Sequence, residues 1–394
     1  MTSKVKKTIL FVPGFVVDTY SEIEASFVEL CSKPDNDIRF LWLVASGASR
    51  YDRYWKSSNR HALNEPLYVT HIKSAGIPYI VADISKYNVI SNFFLFRGIF
   101  KDHPVDAVYT HFGFERFWAT FFGKLWGKTT IWNEHWYSLG TKHVFFKKAF
   151  YRLFVDYFIS ISQFITQTLP KHARVFTVLN AIRAGEIPVR RHNGKQRLKL
   201  RRELGLDPSV TIVLMVASFT AQKRHALTLE ICEAILAERK NVRFVFLGEG
   251  PEREAVIRIL QERGLKQYFS LPGHVENVDD YYAAADISMF TGYNDGFGYT
   301  VLEAMAHSLP VVAFSSGGPS EIIKDGVSGS LIEETDVKRF VSSLMTLIDD
   351  NEKRMSMGLR ARQVVEGEFS RDNWIEKTMQ ALRTIITGDT VGAP

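Results

Sequence analysis

Two carboxylates with seven residues between them, Asp295 and Glu303, bracket the stretch Gly296-Phe297-Gly298-Tyr299-Thr300-Val301-Leu302. The glycines let backbone approach a ligand closely. The helix formers that follow open a helix whose free N–H groups and dipole favour a phosphate or diphosphate. Glu303 falls in the second turn, where a carboxylate accepts hydrogen bonds from neighbouring hydroxyls such as those of a ribose. Asp295, in the loop before the turn, is placed to reach a sugar on the other side of the diphosphate. On spacing alone, a loop with an acidic cap and a solvated glutamate accounts for the stretch equally well.

Such a site needs a scaffold that ends strands and opens helices at one place. Strand-like runs alternate with helical patterns along the chain, the signature of parallel sheets wrapped by helices. In the first half the expected strands are Thr8–Pro13, Ile38–Ala45, Tyr79–Ala82, Ala107–Thr110, Thr130–Asn133, Phe158–Ser160 and Val175–Val178. Helices are expected over Thr19–Leu30, Phe114–Leu125 and Val144–Tyr157. The second half restarts with Thr211–Ala217, a helix to about Ala237, then Val242–Leu247 and a helix to about Arg263. Strands near Phe269–Leu271, Ile287–Phe290 and Pro310–Ala313 follow, and helices at about 335–348, 352–367 and 372–386 close the chain. Residues 184–202 hold Gly185, Pro188, Gly194 and the basic run Arg190, Arg191, Lys195, Arg197, Lys199, Arg201 and Arg202, expected as an interdomain linker. The expected organisation is thus an α/β domain over 1–183, that linker, a second α/β domain over 203–371, and a C-terminal helix and tail over 372–394 able to pack back on the first domain. Open α/β sheets bind ligands at the carboxyl ends of their strands, so chemistry is expected in a cleft between the two domains.

The composition agrees. A length of 394 residues suits two domains, and 46% hydrophobic with 23% charged residues excludes a disordered, collagen-like or coiled-coil chain. Two cysteines, Cys31 and Cys232, exclude a disulfide framework or a four-thiolate zinc site, which points to a reducing cytoplasm. The apolar run Ile9–Val12 is stopped by Pro13-Gly14, too short for a signal peptide, and is expected as a buried first strand. No run of eighteen apolar residues is present to span a bilayer. A net charge of +6 indicates an anionic partner, a nucleotide diphosphate or an anionic membrane. No zinc-ligand spacing, RNP-type aromatic motif or basic zipper points to nucleic acid.

The acidic pair around its Gly-Phe-Gly turn resembles the hallmark of the family-four retaining glycosyltransferases, of GT-B fold, where both acids are usually glutamates. The similarity runs on through Ala304-Met305-Ala306, Leu309–Ala313, Gly317-Gly318-Pro319-Ser320-Glu321 and Asp325–Gly329, and covers roughly residues 210–335. It implies α/β architecture with two Rossmann-like doubly wound domains facing across a cleft. It also implies that Lys223 holds the donor diphosphate, with Arg224 as a second cation where relatives carry an arginine in place of Ser218. Gly248 and Glu249 are implied near the base and ribose, and His274 and Val275 near the base. Gly296, Phe297, Gly298, Tyr299 and Thr300 are implied to form the donor turn, and Glu303 and Asp295 to hold ribose and sugar. No metal and no cofactor are implied.

In the first half two histidines end strands, His111 and His135. The resemblance places His135 against the donor sugar, where it would position the sugar and stabilise charge. His111 is a weaker acceptor-side candidate. Glu134 would orient His135 or touch acceptor, although neighbours on a strand face opposite sides. Only Gly14 remains of the glycine pair that relatives carry after the first strand, and Asn180 stands where relatives have an Asn-Gly hinge, followed here by Ala181. Aromatics are dense from Phe112 to Phe154, including Phe114, Phe117, Trp118, Phe121, Phe122, Trp126, Trp132, Trp136, Phe145, Phe146 and Phe150. Lys124, Lys128, Lys142, Lys147, Lys148 and Arg152 lie among them, a mixture that fits either core with solvated faces or a helix on an anionic membrane.

The reading is a cytoplasmic retaining glycosyltransferase, either free of the membrane or peripheral on its cytoplasmic face. It would move a hexose from a UDP- or GDP-type nucleotide sugar to a glycan or lipid-linked acceptor hydroxyl in cell-surface polysaccharide or glycolipid synthesis. Two other readings fit the same residues: a GT-B nucleotide-sugar epimerase, and a catalytically silent sugar-nucleotide binder.

Overall fold

Short apolar runs bounded by glycine or polar residues, such as Ile9-Leu10-Phe11-Val12 and Ile212–Val216, suit strands covered on both faces. In the computed structural model each set of such runs assembles into one parallel sheet. The structure describes residues 6–14, 22–46, 67–135, 144–187, 194–203, 205, 207, 209–334 and 336–388. Its contacts divide into two units, one of residues 1–161, 165–179 and 374–394, the other of residues 162–164 and 180–373.

The first unit carries β1 (Lys7–Val12), β2 (Ile38–Ser46), β3 (Tyr79–Asp83), β4 (Ala107–Thr110), β5 (Thr129–Glu134), β6 (Tyr157–Ser160) and β7 (Arg174–Thr177), in sheet order β3-β2-β1-β4-β5-β6-β7. Its helices are α1 (Glu22–Ser32), α2 (Leu67–Ser74), α3 (Val89–Asp102), α4 (Glu115–Leu125), α5 (Val144–Phe154) and the single turn α6 (Gln163–Thr166), whose first two residues cluster with the second unit. The order reverses between β1 and β4, the switch point at which α/β sheets open a crevice. Most of the aromatics between Phe112 and Phe154 are core: Phe122 and Trp132 are fully buried, and Trp118, Phe121, Trp126 and Phe150 pack against the core. Trp136 and Lys142 lie outside the described residues.

The second unit holds α7 (Gly194–Glu203), β8 (Thr211–Val216), α8 (His225–Glu238), β9 (Val242–Leu247), α9 (Arg253–Glu262), β10 (Phe269–Gly273), α10 (Val278–Ala284) and β11 (Ile287–Phe290). It continues with α11 (Tyr299–Ala306), β12 (Val311–Phe314), α12 (Pro319–Ile322), β13 (Gly329–Ile332), α13 (Val337–Asp349) and α14 (Asn351–Glu368). The sheet order is β10-β9-β8-β11-β12-β13, with its switch between β8 and β11. The chain then enters α15 (Arg371–Thr387), whose residues from Trp374 belong to the first unit. There the Trp374 ring stands edge-on to Phe27 at 5.1 Å, and Arg383 pairs with Asp35 at 2.5 Å.

Two expectations differ from the structure. β13 was not foreseen: Gly329-Ser330-Leu331-Ile332 is short and begins with glycine, and pairing with β12 is what makes it a strand. The basic stretch expected as a linker over 184–202 ends instead in α7, which packs on α10. Arg197 donates to the carbonyls of Ala284 and Ala285 at 2.9 and 3.0 Å and to Asp286 at 2.7 Å. Arg201 donates to Asp286 and, at 2.7 Å, to the Val210 carbonyl. Buried Asp286 also accepts the Ile212 N–H at 2.8 Å. Two of the linker's cations are therefore internal, satisfying the end of α10 and one carboxylate. Pro188, Arg190 and Arg191 lie outside the described residues.

Candidate functional site

β8 runs into Ala217-Ser218-Phe219 and a 3-10 turn, Ala221–Lys223, that ends at Arg224 in the left-handed region (φ +54°) before α8. This turn aims the Lys223 side chain at the loop that follows β11. Its Nζ lies 2.5 Å from Asp295 Oδ2 and 4.8 Å from the centre of the Phe290 ring. The two side chains are only 15% and 20% exposed, so the pair is far less screened than a surface salt bridge. Gln222 ties the same two segments together, donating to the carbonyls of Tyr293 and Asn294 at 3.1 and 3.0 Å. Arg224 turns elsewhere. Its guanidinium covers Tyr293 at 4.4 Å and lies 3.5 Å from Glu334, so it is no neighbour of Asp295 in the way Lys223 is.

The loop from Thr291 to Gly298 is shaped by backbone contacts that only glycine permits. A Cβ on Gly317 would lie 2.3 Å from the Asp295 carbonyl oxygen, and one on Gly318 would lie 2.2 Å from Phe297 Cα. The loop after β12 thus rests directly on Asp295–Phe297, with the Gly318 N–H donating to the Asp295 carbonyl at 2.8 Å. Asp295 Oδ1 accepts the Phe297 N–H at 3.2 Å. Gly298 adopts φ +94° and caps α11, whose first residues Tyr299 and Thr300 are half-buried. Gly296 receives a hydrogen bond on its carbonyl from Ser162 at 2.6 Å, within the same unit.

Glu303 stands half-buried in the second turn of α11 and accepts the Tyr282 hydroxyl at 2.9 Å. Burial, and then Glu303 itself, push the Tyr282 phenol well above its ordinary range, so it remains a neutral donor. The Tyr282 ring stacks on His307 at 4.8 Å. His307 in turn sets Nδ1 2.9 Å from the Glu303 carbonyl and Nε2 3.2 Å from Asp279. The Glu303 carboxylate is thereby held at a fixed level on its helix. Tyr282 and Gln222 escaped the sequence reading because nothing in their spacing relates them to Glu303 or Asp295. Gly317-Gly318 did carry a signal, a glycine pair in the loop that follows a strand.

The carboxyl ends of β8, β9 and β10 lie side by side. Gly248 (φ +130°) lies so close to Ala217 that a Cβ would fall 2.2 Å from the Ala217 carbonyl oxygen, and its N–H donates to the Gly273 carbonyl at 2.9 Å. Glu249 is exposed and lies 3.6 Å from Arg253. After β10, His274 is exposed and Val275 half-buried. These residues stand at the carboxyl ends of β9 and β10, where the sequence placed them.

In the first unit the strand ends carry a histidine cluster. Gly14 (φ +58°) passes so near Phe112 that a Cβ would lie 2.0 Å from its carbonyl oxygen. His111 is wholly buried after β4, edge-on to Phe27 at 4.5 Å and to His135 at 4.2 Å. It packs behind His135. Glu134 is also fully buried. It accepts the Tyr151 hydroxyl and lies 3.2 Å from Lys147, with Arg116 close enough to act on it electrostatically. Arg116 itself stacks on Trp132 at 4.3 Å and donates to the His111 carbonyl at 3.1 Å.

His135 follows β5, half-buried against Phe112 at 4.6 Å. Burial and then the Arg116 charge hold its imidazole down to about 3. It is neutral at ordinary pH, so it can serve by hydrogen bonding and shape, not as a standing cation. The unfolded chain takes up this proton near 6.5 and the folded chain not until about 3. The stability linked to His135 is therefore complete above about pH 6.5 and falls as the pH drops toward 3. Urea titrations at pH 7.5 and 4.5 should show a smaller acid loss in His135→Asn than in the parent chain. An equal loss would mean that the folded protein accepts the proton.

Comparison with known proteins bears on the second unit first. Residues 196–364 match the family model described as Glycosyl transferases group 1. The chain is 25% identical over 194 residues to N-acetyl-alpha-D-glucosaminyl L-malate synthase of Bacillus anthracis, covering 49% of this chain and 51% of that protein. It is 22% identical over 204 residues to the poly(ribitol-phosphate) alpha-N-acetylglucosaminyltransferase of Staphylococcus aureus, covering 52% of this chain and 38% of that one. The match thus spans about half or less of the length of these curated relatives. The fold extends further. The crystal structure of Anabaena Alr3699/HepE in complex with UDP superposes with a TM-score of 0.72 at 16% identity, covering 96% of this chain and 100% of that one. The two parallel Rossmann-type sheets are those of the GT-B glycosyltransferase fold.

Proposed function

With residues 196–364 belonging to the group 1 glycosyl transferases, we propose that the protein moves a hexose from a nucleotide diphosphate sugar to an acceptor hydroxyl with retention of anomeric configuration. The observation that carries this reading is the convergence of Lys223 on Asp295 in the loop that leads into α11, eight residues ahead of Glu303. In the proposed complex Glu303, steadied by Tyr282, accepts hydrogen bonds from the ribose. Lys223 and the first N–H groups of α11 neutralise the diphosphate, so no metal enters the proposal. Asp295 accepts from the donor sugar hydroxyls. Bond breaking leaves charge on the diphosphate oxygen that Lys223 faces. That oxygen takes the acceptor's proton on the face where the acceptor attacks, which keeps the configuration without a protein nucleophile. Neutral His135 enters the proposal as a hydrogen-bonding group at the end of β5, not as a cation.

The alpha-glycosyl products named for both relatives support retention, since hexoses are commonly carried as α-linked nucleotide diphosphates. The UDP complex of the Anabaena protein makes UDP the first base to try. The poly(ribitol-phosphate) acceptor named for the S. aureus relative supports a cell-surface glycan as the acceptor class, with the reaction proposed on the cytoplasmic side.

Thermal stability with UDP, GDP, CMP and ADP tests the donor site directly. A nucleotide at about a hundred times its dissociation constant adds about 2.7 kcal/mol to the native state. One nucleotide should raise the melting temperature, and Glu303→Ala should lose that shift. A shift that survives Glu303→Ala would remove Glu303 from the ribose, and no shift with any nucleotide would favour a silent homologue.

A further inference from the structure

Helix α5 presents one face to its unit and another to solvent, and the outer face has a composition that water alone does not explain. Lys147, Phe150, Tyr151 and Phe154 turn inward, two of them onto Glu134. On the outer side Phe145, Phe146 and Leu153 are 80%, 74% and 63% exposed. Phe146 and Leu153 are seven residues apart and Phe145 lies beside them, so the three form one apolar stripe. Lys148 and Arg152, four residues apart and both exposed, flank that stripe. The helix contains no aspartate or glutamate. Helix α4 packs on α5 and α3 on α4, and this layer adds exposed Leu125, Ile90, Phe94 and Arg97 to its outer side.

We infer that α5 is a docking helix for an anionic lipid bilayer, with Phe145, Phe146 and Leu153 entering the headgroup–acyl boundary and Lys148 and Arg152 meeting lipid phosphates. A protein partner would need only the apolar stripe. The single sign of charge along the stripe's edge selects a surface of continuous negative charge. No helix among the described residues is long and apolar enough to cross a membrane, so contact of this kind is interfacial. The inner face of the same helix clamps Glu134, one residue before His135. Docking thereby ties the lipid surface to the strand end that carries the histidine. The inference stands on the first unit alone and does not depend on the proposed reaction.

The test is flotation of the full chain with phosphatidylcholine vesicles, with and without 40% phosphatidylglycerol (about that fraction suffices to set a strong negative surface potential). The protein should float with the anionic vesicles at low salt, stay down with the neutral ones, and be released at high salt. Lys148→Glu/Arg152→Glu should weaken binding at least about 30-fold, each cation near an anionic surface being worth about a factor of five. Phe145→Ser/Phe146→Ser should also release the protein, with the charge unchanged. All four positions are exposed, and unchanged melting temperatures would show that the variants fold. Absence of flotation at low salt overturns the inference, as does equal flotation of both variants. A dimer by light scattering that Phe145→Ser/Phe146→Ser converts to monomer would reassign the stripe to a second copy of the chain and overturn it too.

Discussion

Lys223→Met should lower kcat/KM for sugar transfer by about 10²–10³-fold, the usual cost of removing one preorganised partner from charge that develops in a transition state. The size follows from where the ammonium sits. It is largely screened from water by the loop after β11, so its field on a bound diphosphate is little weakened by solvent. Methionine fills similar volume, so the loss reads the charge. The ion pair with Asp295 adds a second, opposite expectation. Removing Asp295 frees Lys223 from its partner, so Asp295→Ala should lose turnover while binding free nucleotide diphosphate at least as tightly as the parent. Steady-state kinetics and calorimetric titration with the nucleotide separate the two effects. A fall of less than fivefold for Lys223→Met, or a large loss of nucleotide affinity in Asp295→Ala, would show that the roles of these residues are misassigned.

Asp286→Ala should destabilise the second unit by about 3–5 kcal/mol, the cost of stripping one partner from a buried ionic cluster. Arg201 would keep a buried charge and Arg197 a part-buried one without the carboxylate, and the Ile212 N–H would lose its acceptor. Against a typical total of about 5–15 kcal/mol this is enough to leave much of the population unfolded. Urea unfolding followed by circular dichroism reads it, and a change below about 1 kcal/mol would show that water replaces the carboxylate. Arg197→Ala/Asp286→Ala, compared with each single change, would measure the coupling between the two.

The contrast between these two clusters shows what a single chain of letters carries. Asp295, Glu303 and the Gly-Phe-Gly turn were legible because their geometry is local: a loop, a glycine cap and a helix turn set their spacing within nine residues. The alternation of strands and helices was legible for the same reason, since burial on both faces demands apolar runs that the eye can count. The basic run before β8 was read as linker because its charges look solvated in isolation. Asp286, its partner, lies more than eighty residues away, and only folding makes Arg197 and Arg201 interior groups. The burial of His111 and Glu134 was hidden in the same manner. A strand end is exposed or buried according to what packs over it, and Phe27, Tyr151 and Lys147 belong to other elements than the strands they cover.

The order of residues thus carried the acidic pair, its glycine turn and the two-sheet plan, because hydrogen bonding along a turn and the two- and 3.6-residue periods act over a few neighbours. Three things came only with the assembled chain: the pairing of Lys223 with Asp295, the support of Glu303 by Tyr282, and the neutrality of His135. Each depends on distances across strands of the sheet, and on loss of water around a charge, which no local pattern encodes.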